Sequence, residues 1–115
     1  METNVVATID GRHYVYARDI GQKYFGVPWS AQFEIRSGMV RGRWHRIRGG
    51  RERILLDLED AKIIRDMSRA LAHVGIKDKN KRREIVMDYF AIRAGFESWG
   101  QAWETRGDLR RSDDE

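Results

Sequence analysis

Between residues 41 and 53 the chain reads R-G-R-W-H-R-I-R-G-G-R-E-R, with six arginines and a single acid, Glu52. Guanidinium groups are fixed cations at neutral pH, and their planar donors grip phosphate or carboxylate oxygens in pairs. Arg41, Arg43, Arg46, Arg48, Arg51 and Arg53 are therefore candidates for holding a polyanion. Counted from Arg36, the stretch to Arg53 carries seven arginines and one glutamate, a local charge of +6 in a chain of net charge +4. Such concentration matters more than the total, because affinity for a phosphate polymer depends on how many cations meet it together. A solvated arginine-rich hairpin with no such partner is the plainer alternative.

Other reactive residue types are scarce. The 115 residues include no cysteine, which removes disulfides, thiolate nucleophiles and cysteine-based zinc sites. His13, His45 and His73 lack metal-ligand spacing. No glycine-rich phosphate loop of the Walker or Rossmann pattern occurs. Asp57, Glu59 and Asp60 cluster where a helix begins, a placement that capping and the helix dipole explain. These residues imply no active site, metal or cofactor, and the expectation is a binding protein, not an enzyme.

Two turns would position the basic residues. Gly49-Gly50 sits between two mixed basic and apolar runs, and both glycines tolerate the positive φ of a tight hairpin turn. In such a ribbon Arg46 and Arg48 share a face opposite Ile47, and Arg51 and Arg53 share one opposite Ile54. Trp44 and His45 could stack on sugars or bases, although a tryptophan there more often anchors the hairpin to the core. Asp10-Gly11, flanked by β-branched and aromatic residues at 5–9 and 13–17, predicts an N-terminal hairpin.

The remaining pattern is helical. Residues 17–25 place Ile20, Tyr24 and Phe25 on one face and stop at Gly26. Ser30 is the expected N-cap of a second short helix that buries Phe33 and ends at Gly38. Ala61, Ile64, Met67, Leu71 and Val74 form a stripe for a third helix that Gly75 ends. Ile85, Tyr89, Ile92, Phe96, Trp99 and Trp103 follow at intervals 4-3-4-3-4, a heptad-like seam broadened by Val86 and Phe90. Gly95 and Gly100 mark where that last helix would kink or end. The seam has two readings: a core packed on Ile64, Met67 and Leu71, or a homodimer interface through Tyr89, Ile92, Phe96, Trp99 and Trp103.

The order of short helix, turn, short helix, basic hairpin and helix resembles the winged helix-turn-helix of the excisionase and MerR-like DNA-binding families. The resemblance covers about residues 14–64. It rests on Tyr16-Ala17-Arg18-Asp19-Ile20, Phe25-Gly26-Val27 and Ile35-Arg36-Ser37-Gly38, then on Arg46-Ile47-Arg48-Gly49-Gly50-Arg51, Arg53-Ile54 and Asp57-Leu58-Glu59. Pro28 and Trp29 depart from it, as do the short second helix and the N-terminal hairpin. The resemblance implies a sequence-specific binder of double-stranded DNA, a small transcriptional regulator or a recombination accessory factor. Ser30, Gln32 and Arg36 would lie on its recognition helix, with Arg46, Arg48, Arg51 and Arg53 on its wing.

Two other functions compete. The basic strand pair also looks like the central hairpin of RelE/ParE-type toxins acting on RNA, in which Arg46, Arg48, His45 and Tyr14 would bind phosphate and move protons. Alternatively the aromatic C-terminal helix binds a host protein, as in a phage or plasmid interaction factor. The expected architecture is α+β: a winged helix-turn-helix module with an N-terminal hairpin over residues 1–64, a helical pair over 65–106, and a disordered tail over 107–115. No apolar run approaches the roughly 18 residues that span a bilayer, so the expected location is the cytoplasm.

Overall fold

The computed structural model describes residues 4–46 and 49–110, and the side chains of that set up to residue 108. Strands β1 (Ala7–Ile9) and β2 (Arg12–Tyr16) form the expected N-terminal hairpin. At its turn Asp10 and Gly11 have φ of 53° and 79°, the paired positive values of the tight turn that matches strand twist. The basic hairpin consists of β3 (Gly42–Arg46) and β4 (Glu52–Asp57). The two hairpins join through β2 and β4 into one antiparallel sheet of order β1-β2-β4-β3. The expected N-terminal hairpin is thus an integral part of the sheet that contains the basic ribbon.

Five α-helices accompany the sheet among the described residues: α1 (Ala17–Tyr24), α2 (Gln32–Arg36), α3 (Leu58–His73), α4 (Lys79–Arg93) and α5 (Trp99–Arg106). Three starts are capped by side chains at 2.8–3.0 Å: Asp57 accepts from Glu59 N–H, Asp78 from Asn80 N–H, and Ser98 from Gln101 N–H. Asp57 also receives the Arg12 guanidinium at 3.0 Å, tying the α3 start to the first hairpin. The main core unites Val15, Ile20, Phe25, Phe33, Leu56, Ile64, Val86, Met87 and Phe90. It spans the boundary expected at residues 64 and 65, which falls inside α3.

Three expectations about elements need correction. Ser30 does not cap α2; the N-cap is Ala31, buried and held at φ 62°, and α2 is a single turn of five residues. The last apolar stripe breaks where Gly95 marked an end, but not at Gly100, which lies inside a helix: α4 stops at Arg93, Gly95 adopts φ 100°, and α5 restarts at Trp99. That reversal is open to glycine and strained for other residues, so the heptad-like spacing could not be realised on a single rod. Gly107–Arg110 forms a 3-10 turn where the disordered tail was expected to begin, and residues 111–115 of that tail lie outside the described set.

Candidate nucleic-acid interface

Alternation along the strands sorts the basic residues. The ladder pairs Arg43 with Leu55, Trp44 with Ile54, His45 with Arg53 and Arg46 with Glu52. Residues opposite one another share a face, and neighbours along a strand take opposite faces. Arg43, His45 and Arg53 therefore stand with Leu55 and, through the β2–β4 ladder, with Tyr14 and Tyr16. Trp44, Arg46 and Glu52 stand on the other face with Ile54, Leu56 and Val15, the last two belonging to the main core. Leu55 and Leu56 are both 0% exposed, so the middle of the sheet is covered on each side.

The ladder's last pair is Arg46 with Glu52, so Arg51 lies beyond the ladder and not within a strand as expected. Arg48, with Ile47, is outside the described residues. Arg43, Arg46, Arg51 and Arg53 are all exposed. No ion pair joins any of these four to an acid among the described residues. Arg53 lies over the Tyr16 ring, its guanidinium carbon 6.0 Å from the ring centre.

Arg41 belongs to a different structure. Its backbone N–H and guanidinium donate to Asp60 at 2.7 and 2.9 Å. Arg93 donates to both oxygens of the same carboxylate at 2.9 and 3.0 Å, and to the Met39 carbonyl at 2.9 Å. Burial alone would lift the Asp60 carboxyl, but the hydrogen bonds from Arg93 and Arg41 outweigh it and hold the group below its ordinary value. The hydrogen bond to Asp60 raises Arg41 in turn. Asp60, in the first turn of α3, is thus also a clamp, and Arg41 is an ion-paired cation that shares this one carboxylate with Arg93.

The expected recognition helix is engaged on its inner side. Phe33 stacks on Trp103 with ring centres 3.8 Å apart. The buried Glu34 accepts the indole N–H of Trp29 at 3.2 Å and of Trp99 at 3.0 Å. Burial pushes the Glu34 carboxyl upward, partly opposed by the bond from Trp99. Ser30 is exposed, Gln32 and Arg36 are half-buried, and the Arg36 guanidinium lies 5.2 Å from the centre of the Trp44 ring. Trp44 is half-buried opposite Ile54, which favours its anchoring role.

The expected dimer seam divides accordingly. Trp99 and Trp103 turn inward onto α2, and Phe96 packs against the core. Tyr89 and Ile92, at 40% and 61% exposure, are what the stripe leaves in water. The residues named for an RNA-cleaving centre are not gathered either: Tyr14 is buried, and Arg46 stands on the opposite sheet face from His45 and Tyr14.

Sequence reading missed Glu34, the joining of Arg41 and Arg93 by Asp60, and the part played by Tyr16. Tyr16, Trp29 and Arg53 help to line a groove of about 380 Å³ between the start of α1 and β4. The described residues hold no cluster of three or more His, Asp or Glu that could bind a metal. None of their helices is long and apolar enough to cross a membrane. No family model, curated protein or solved structure matches the chain.

Proposed function

We propose that this protein binds double-stranded DNA through the β3–β4 hairpin, in the manner of a winged helix-turn-helix, as a small transcriptional regulator or recombination accessory factor. One observation carries the reading: Arg43, Arg46, Arg51 and Arg53 are exposed along one hairpin, and among the described residues no ion pair holds any of them, although Glu52 stands across the ladder from Arg46. Both faces of the ribbon carry cations, so it can meet phosphates on either side of a groove. Arg36 on α2 lies over Trp44 at the hairpin, and with Gln32 of the same helix it supplies the contacts to base edges. A second copy meets the first through Tyr89 and Ile92 and presents a second hairpin to a paired half-site.

Salt titration tests this. Four arginines on four phosphates give a logarithmic slope of about −3.6, or about a hundredfold weaker binding at 200 mM salt than at 50 mM. Arg51→Ala should weaken binding to matched and scrambled duplexes alike and flatten that slope, whereas Gln32→Ala should change the preference between them. Affinity that ignores salt, or no affinity for duplex in dilute buffer, removes the proposal.

A further inference from the structure

The groove beside the hairpin has a composition that bare phosphate gripping does not use. Tyr16 and Trp29 give it aromatic walls, Arg18 and Arg53 supply two cations, and Asp19 and Glu52 supply two acids. Its own charges cancel, so an isolated anion has little reason to enter. A flat, uncharged ring with donors and acceptors around its edge matches every wall. We infer that this groove takes one unpaired nucleobase of the nucleic acid whose phosphates the hairpin arginines hold, an inference that rests on the reading above.

The Tyr16–Arg53 pair carries the geometry. The guanidinium carbon sits 6.0 Å above the Tyr16 ring centre, too far for direct stacking contact. A ring inserted between two flat groups, at about 3.5–4.0 Å from each, needs a gap of roughly 7–8 Å. Arg53 is exposed on a flexible stem and opens by that margin. Stacking on tyrosine and on a guanidinium plane is the general way in which unpaired bases are held. The groove, at about 380 Å³, lies at the small end of ligand sites and suits one base with its sugar, not a duplex. Asp19 accepts from an exocyclic amino group, so cytosine, adenine or guanine is favoured over thymine, which lacks one. Arg51, next to Glu52, then meets the flanking phosphate.

The experiment compares the full chain on a blunt duplex and on the same duplex with a short cytosine overhang, by fluorescence anisotropy at low salt. The overhang should bind about tenfold tighter, the worth of one stacked base. A thymine overhang should gain less, and Tyr16→Phe should keep the cytosine gain while Tyr16→Ala loses it. A thermal melt of Tyr16→Ala checks that it is folded, and the wild-type comparison decides without it. Equal affinity for blunt and overhanging duplexes, or a gain that survives Tyr16→Ala, overturns the groove assignment and leaves the hairpin reading intact. Binding of neither duplex overturns the hairpin reading and this one with it.

Discussion

Glu34 shows how one side chain can organise a helix too short to stand alone. It sits between Phe33 and Ile35 on α2, and its two oxygens receive indoles from Trp29, five residues away, and Trp99, 65 residues away. Removing the carboxylate leaves the buried Trp29 N–H unpaired, so Glu34→Ala should destabilise the protein by about 1–3 kcal/mol in urea unfolding. Its titration has a definite sign. Burial raises its pKa above the ordinary 4.5, so the folded state binds the proton more tightly than the unfolded chain does. The contribution from this group favours folding below pH 4.5 and is lost as pH rises through the raised value. Glu34→Gln should abolish that loss, seen as a flatter dependence of the urea midpoint on pH in the weakly acid range. None of this was legible in the sequence, where an acid between two apolar residues looks like an exposed position. Its partners are set by tertiary structure, and only the unusual supply of tryptophan hinted that indole donors needed acceptors.

At the scale of elements, the Asp60 clamp fixes the root of the basic hairpin. Asp60 on α3 takes Arg41, one residue before β3, and Arg93 at the end of α4, which in turn reaches the Met39 carbonyl. One carboxylate thus joins two helices and the segment leading into the sheet. Asp60→Asn leaves two guanidinium groups facing a neutral amide. It should cost about 2–4 kcal/mol, below the usual figure for a broken buried pair because both arginines are partly exposed. Its pH signature opposes that of Glu34. The depressed Asp60 pKa favours the fold above pH 3.8, and the contribution is lost as pH falls through the lower folded value. A wild-type acid-unfolding curve that matches the variant's would remove the clamp as a source of stability. The hairpins were legible because their turns are local, and Asp10-Gly11 takes the expected conformation. The two-residue Gly49-Gly50 turn is not what forms: Arg46 pairs with Glu52, one residue off the register such a turn requires, and Gly49 but not Gly50 has positive φ. Helix α3 was legible from its long stripe and α2 from the apolar Phe33 and the stop at Gly38, but the Ala31 cap was not, because one turn carries no periodicity to fix its start. The seam misled because α4 and α5 continue a single spacing across the Gly95 break, although Gly95 itself signalled the interruption.

At the scale of the whole molecule, cations gathered on one hairpin sit apart from an apolar pair on α4. Tyr89 and Ile92, three residues apart, are neighbours on one helix face. Ile92→Glu should shift any self-association toward monomer in sedimentation analysis while leaving unfolding unchanged, since Ile92 is 61% exposed. A wild-type protein that sediments as a monomer at all concentrations ends the dimer proposal. The concentration of charge was plain from the sequence, but its division between an Arg41 paired with Asp60 and the unclamped Arg43, Arg46, Arg51 and Arg53 depended on where Asp60 came to lie. The stacking of Phe33 on Trp103 reaches further, into how the protein is made. During synthesis both β-hairpins and α3 emerge well before residue 103, and they can form from neighbours already outside the ribosome. Helix α2 must wait for the tryptophans that roof it, so the nascent chain carries a finished basic ribbon beside an unfinished helix until its final turns appear.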